Sequence, residues 1–260
     1  MKYLDTKNLD NIPGTKLEEN DTFSFHCHAG LDCFNLCCRN LNLFLYPYDV
    51  IRLKNRLEIT SDQFLDKYVD VVLRPSDFFP EVLLRMSEDE DKTCIFSTGA
   101  GCSVYLDRPD TCRNFPMEKG ILYDAEIKKT TRVYFFRPPD FCRGPLENKT
   151  YTPRTWTEDQ DAVFYNEMTV RWAELKNLFQ SDPWGKEGSD GPRGKMAFMT
   201  AYNIDSFRDF VFNSSFLKRY KVKSALLKKI RKDETELLIF GFEWIKFYVW
   251  GMKTKSLRLR

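Results

Sequence analysis

Residues 27–39 read CHAGLDCFNLCCR, placing Cys27, Cys33, Cys37 and Cys38 in a stretch that has one glycine and neither the helical nor the strand repeat of apolar residues. Such a segment has no stripe to bury, so something other than a hydrophobic core must organise it. Cys94, Cys102, Cys112 and Cys142 bring the total to eight cysteines, and none lies beyond residue 142. Scattered buried thiols acting as small hydrophobes would not be confined in this way.

The spacings narrow the chemistry. Five, three and zero residues separate the first group, and seven, nine and twenty-nine separate those that follow Cys94. No Cys-x2-Cys occurs, which argues against a zinc ribbon, a bacterial ferredoxin repeat and a thioredoxin-type pair. The Cys-x3-Cys-x2-Cys of radical enzymes also fails, because Asn40 stands where the third thiol is needed. Vicinal Cys37 and Cys38 should diverge in any strand or helix, so they are expected to serve different irons of one cluster or two adjacent metals. Eight thiolates suffice for two zinc ions or two 4Fe-4S clusters, and one cluster with four spare thiols fits as well.

Arg39, Arg113 and Arg143 each follow a cysteine, and Arg108 lies four residues before Cys112. Guanidinium supplies both charge and N–H donors to an anionic sulfur cluster. Arg108 and Arg113 are therefore expected to face the sulfurs, with Pro109 and Asp110 opening a short helical turn between them. His26 and His28 flank Cys27; if that run is extended, both point away from the face Cys27 uses, and they read first as polar loop residues.

Working outward, YPYDVIRLKNRL sets Val50, Ile51, Leu53 and Leu57 at helical spacing with Pro47 and Asp49 at its start. Thr60 or Ser61 then caps a second helix with a stripe of Phe64, Leu65, Tyr68, Val69 and Val72. The short apolar runs between Glu81 and Tyr105 predict a small antiparallel sheet, and RVYFF at 132–136 another strand. Thr157 with Gln160 reads as a capping box opening a helix to about Phe179. Residues 181–194 read as a flexible connection, with helices near 195–212, 215–231 and 233–250. The fold class is thus α+β. An irregular cysteine-rich metal-binding lobe with short strands and helices, residues 1–150, is followed by a mainly helical region, 151–260, packed on it.

At 260 residues the chain can bury a core without disulfide staples, and its 22 phenylalanines supply rings to fill it or to shield a cofactor. From residue 214 onward 13 Lys and Arg face 4 Asp and Glu, against 27 and 34 before it, a polarity that fits two attracting lobes or an acidic partner. The opening MKYLDTKNLDN has no apolar secretory region, which predicts a cytoplasmic protein where stable disulfides are rare. The run Leu237–Trp250 is short and carries Glu243 and Lys246, so it reads as a buried helix and not a membrane span. No recognised nucleic-acid module is visible, which makes nucleic acid an unlikely partner.

Three strings, CHAGLDCFNLCCRNLNLFLYPYDVIRLKNRL (27–57), CIFSTGAGCSVYLDRPDTCRNFP (94–116) and FCRG (141–144), resemble the YkgJ-type cysteine-cluster family of zinc- or iron-chelating domains. The shorter members open Cys-x2-Cys-x2-Cys-Cys, whereas here the first intervals are five and three. The resemblance implies metal chelation by the eight cysteines and commonly carries an iron–sulfur label. A similar cluster occurs in flagellin lysine methylases, but no glycine-rich nucleotide loop stands here in strand–turn–helix context. The leading expectation is an iron–sulfur protein that carries electrons to a redox partner or senses redox state. A zinc-stapled interaction protein is the alternative, and a protein-modifying enzyme using Asp49, Asp107 or Asp140 as base is the third.

Overall fold

The computed structural model describes residues 2–4, 9, 11–75, 77–124 and 129–260 and shows an α+β chain with short strands in small sheets and a helical C-terminal part. Two compact units emerge, one from the residues up to Leu43 with Arg85–Ala173, the other from Phe44–Leu84 with Glu174–Arg260. Each is discontinuous in sequence.

In the first unit, RVYFF is the second half of the strand Lys129–Phe136, which pairs antiparallel with Met117–Asp124. Lys2–Leu4 adds to one edge in parallel and Thr15–Leu17 to the other antiparallel. Beside this sheet Leu17, Phe23, Phe25, Met117, Tyr151 and Trp156 form a buried cluster, with Phe115, Phe136 and Cys142 packed against it. The Trp156 ring meets Tyr151 at 4.9 Å and Phe25 at 5.4 Å, both edge-on, and its indole N–H donates to Asn114 O at 3.1 Å. Edge-to-face pairs of this kind contribute about 0.5–1.5 kcal/mol each beyond burial. The aromatic excess therefore holds the frame on which Cys142 is mounted.

The helix expected from Thr157 is two helices. Pro153–Asp159 is capped by Thr152, whose side chain accepts from Thr155 N–H, and Thr157 lies inside it, donating to Pro153 O at 2.7 Å. Asp161, at φ 52°, breaks the chain before Val163–Phe179.

In the second unit, Pro47–Arg56 and Ser61–Tyr68 form as the spacing predicts, the latter capped reciprocally by Thr60 and Gln63. Val69 and Val72 do not prolong that helix. They belong to the strand Val69–Val72, where three β-branched residues suit a pleated surface, and it pairs with Glu81–Leu84, which also pairs with Phe44–Leu45. The single sheet expected over 81–105 is thus two, since Ser97–Thr98 and Gly101–Cys102 make a separate hairpin in the first unit.

Farther on, Asn203 divides Pro192–Tyr202 from Ile204–Asn213 by capping the second. Helix Phe216–Arg219, strand Tyr220–Val222 and helix Ser224–Lys232 replace the one helix expected there. The stretch read as a flexible connection holds a 3-10 turn at Gly185–Glu187 and the start of the helix at Pro192. Glu234–Trp250 fulfils its reading as a buried helix: Asp233 caps it, Leu237, Phe240, Trp244 and Ile245 are buried, and Gly251 ends it at φ 66°. Among the described residues no helix is long and apolar enough to cross a membrane.

Strand Tyr220–Val222 pairs with Leu257–Leu259, setting Lys221 directly opposite Arg258 with both side chains exposed. Like charges so placed repel. Lys221→Glu is expected to raise the urea midpoint, by about 0.2–1 kcal/mol of stability, and Lys221→Ala by less; an unchanged midpoint in both would mean that the pair is fully screened.

Candidate metal centre

The segment 27–39 is a chain of tight turns. Leu31 N–H donates to His28 O, Phe34 to Leu31, Leu36 to Cys33 and Cys38 to Asn35, and Asn35 takes the left-handed conformation (φ 66°) that an asparagine tolerates before the 3-10 turn Leu36–Cys38. This winding holds the four thiols close along the chain without any apolar stripe, with Cys33 buried and Cys27 exposed.

Three anchors bind the second cysteine group to it. Cys94 N–H donates to Cys38 O at 2.7 Å, Asn40 N–H to Lys92 O at 3.0 Å, and Asn35 Nδ2 to Thr98 O at 3.2 Å. Thr98 and Gly101 close the hairpin between Cys94 and Cys102, with Gly101 at φ 120°, a conformation that favours glycine. Cys142 comes from the aromatic frame, where Gly144 lies so near the Phe25 ring that a Cβ there would stand 2.5 Å from it. Arg143 N–H reaches Cys33 Sγ at 3.2 Å.

The thiols are linked by electrostatic interaction, although among the described residues no three sulfurs lie within 4.8 Å of one another. Cys27 interacts electrostatically with Cys142, Cys33 and Cys38; Cys37 with Cys38, Cys27 and Cys112; Cys94 with Cys38 and Cys102; and Cys142 hydrogen-bonds with Cys33. All eight are free of disulfides. Cys37 and Cys38 sit together in the 3-10 turn Leu36–Cys38, and each shifts the other's pKa through a side-chain hydrogen bond. That bond raises Cys37 and lowers Cys38 to about 7 against the opposing effect of burial.

Backbone N–H groups point at several sulfurs. Phe96 donates to Cys94, Val104 to Cys102 and Gly144 to Cys142, in each case the amide two residues after the thiol. Ser97 adds a second donor to Cys94. A neutral thiol needs no such array, whereas a thiolate bound to metal is stabilised by it. Backbone donors carry no residue signal, so the sequence could not disclose them.

The arginines divide. Arg108 lies near Cys102 and Cys112, its guanidinium 3.9 Å from the Tyr105 ring centre and bonded to Tyr105 O (2.6 Å) and Gln160 Oε1 (2.9 Å). Arg113 is buried, and its five N–H donors are all taken: Arg108 O, Gln160 O, Asp161 O, Leu106 O and the Tyr165 hydroxyl. None remains for a sulfur, which corrects the expectation that Arg113 faces the cluster; it ties the Cys112 helix, Asp110–Asn114, to its neighbours. Arg39 pairs with Asp91 at 2.6 Å. Asp49, considered as a base, is buried and accepts Tyr46 N–H at 2.9 Å, so it caps a helix.

The sequence pattern of a family described as "putative zinc- or iron-chelating domain", CxxCxxCC, matches residues 26–157, just over half of the chain. The chain belongs to this family. The CxxCxxCC match spans all eight cysteines and both Arg108 and Arg113, in agreement with the resemblance seen in the three strings. No curated protein and no solved structure matches the chain.

Burial, foremost, raises the pKa of Cys27, Cys94, Cys102 and Cys142 from the ordinary 9.0, and neighbouring thiols add to it. A folded-state pKa raised in this way gives stability that is full below the ordinary value and is lost as pH rises past it. Cys38 has the opposite sign, its contribution being lost as pH falls through about 7. The metal-free, reduced chain is therefore expected to lose stability between pH 8 and pH 10, and Cys102→Ser to lose less. Denaturant midpoints at the two pH values check this; a midpoint that holds or rises would refute it.

Proposed function

We propose that the cysteine unit binds an iron–sulfur cluster of the 4Fe-4S type and serves in electron transfer or redox sensing. The observation that carries the reading is the array of backbone N–H groups on the sulfurs of Cys94, Cys102, Cys142 and Cys33, among eight free thiols linked electrostatically. The donor set fits: thiolates supply four ligands per cluster, and the N–H donors offset the charge that accumulates on sulfur. When bound, the cluster supplies one-electron chemistry. The chain's own residues hold the sulfurs, donate to them, and place Arg108 beside Cys102 and Cys112 as a fixed positive charge.

Zinc is the second reading, since four thiolates satisfy one tetrahedral ion and eight satisfy two. Anaerobic purification, metal and sulfide analysis and an absorption spectrum separate them. Iron with stoichiometric sulfide and a visible absorption that bleaches on reduction is expected; a colourless protein holding zinc alone would overturn the iron–sulfur reading.

A further inference from the structure

After the strand Phe23–Ser24 the chain continues along the same neighbour, held by Phe25 N–H to Lys149 O (2.8 Å) and His26 N–H to Gly144 O (3.0 Å). Alternation along an extended run sends neighbours to opposite faces. Cys27 joins the other thiols, and His26 and His28 share the opposite face with their ring centres 5.0 Å apart. The loop that supplies Cys142 then supplies Glu147 to this second face, with Oε2 3.6 Å from His28 Nε2. One ligand atom each from His26, His28 and Glu147 lies within 4.8 Å of the other two.

We infer that His26, His28 and Glu147 form a second metal site, separate from the thiols, for a divalent first-row transition ion such as zinc, cobalt or nickel. Two imidazole nitrogens and one carboxylate oxygen suit these borderline ions; magnesium and calcium prefer all-oxygen cages and copper(I) prefers sulfur. Around a tetrahedral ion with bonds of about 2.0–2.1 Å, donor atoms stand roughly 3.3–3.5 Å apart. The His28–Glu147 pair is already near that distance, and exposed His26 has room to rotate inward. Three protein donors leave a position open to water.

The carboxylate is available for this role. Among the described residues no lysine or arginine pairs with Glu147, and nearby Lys149 is committed to Asp159 at 3.3 Å. His28 Nδ1 accepts Gly30 N–H at 3.2 Å, so the neutral ring carries its proton on Nε2. Loading exchanges that tautomer: the proton moves through solvent to Nδ1, and exposed Gly30 turns its N–H to water.

The test is titration of the full chain, with its resident metal as purified, by cobalt(II). One additional cobalt is expected, with weak d–d bands and no sulfur-to-cobalt charge-transfer band. His26→Ala, at an exposed side chain, and the isosteric Glu147→Gln, at a half-buried one, should each weaken it at least tenfold while resident metal content and spectrum stay as in the parent. The proposal is overturned if either variant binds this cobalt within twofold of the parent, if the added cobalt shows only intense charge transfer, or if the variants shed the resident metal. A chain purified without resident metal would refute the function proposed above but not this site, which is read from the d–d component that Glu147→Gln removes.

Discussion

Cys38→Ala is expected to strip the purified protein of its metal. Cys38 is the thiol to which most others are coupled: Cys27, Cys37, Cys94 and Cys102 all interact with it, and its own carbonyl accepts Cys94 N–H. Structural metal sites contribute about 10–16 kcal/mol in total, so losing one ligand of four should cost about 3 kcal/mol or more, over a hundredfold in retention. Cys27→Ala should lose less, because Cys27 is the one exposed member of the set. Metal analysis after gel filtration decides the matter. Full metal content in Cys38→Ala would mean that this thiol is a bystander and that the ligands lie elsewhere among the eight.

The other large effect concerns Arg113→Leu, which should destabilise the first unit and leave the metal's spectrum unchanged in whatever protein folds. The substitution strands the carbonyls of Arg108, Leu106 and Gln160 and the Tyr165 hydroxyl, and it removes the cation resting 4.1 Å from the Tyr165 ring centre. Each buried polar group left without a partner costs about 1–3 kcal/mol, so the total should exceed about 3 kcal/mol against typical stabilities of about 5–15. Asp161 adds little, being 3.8 Å away and almost fully exposed. Arg113→Lys, with three donors in place of five, should fall between. Denaturant unfolding reads all three proteins. A shifted spectrum at unchanged stability would restore this arginine to the sulfurs.

Elements whose signal is local were legible. Pro47–Arg56, Ser61–Tyr68 and Glu234–Trp250 carry their own caps and apolar spacing. Some misreadings arose where a distant partner decides, others where two local patterns compete. Val69 and Val72 continue a helical stripe on paper, but the strand Glu81–Leu84 claims them. Thr152 caps with Thr155, a weaker pattern than the Thr157–Gln160 pair that outranks it in sequence. At the centre, cysteine confinement announced metal, and the arginine positions were visible; which guanidinium has donors to spare depends on carbonyls 47 and 48 residues away. The histidine–carboxylate trio was half legible, since His-x-His on one face is a sequence fact, whereas Glu147 arrives through the fold.

The two units interleave along the chain, and this imposes a timetable on synthesis. Every segment of the cysteine unit has been made once Ala173 leaves the ribosome, whereas Phe44–Leu84 must wait for the residues after Glu174. Chains elongate at about 5–20 residues per second, so the earlier-made piece of the second unit spends several seconds without the helices that complete it. During that interval Val71 and Leu73, exposed even in the finished fold, share the nascent chain with all eight free thiols. Metal supplied at that stage would close the first unit before the second can begin.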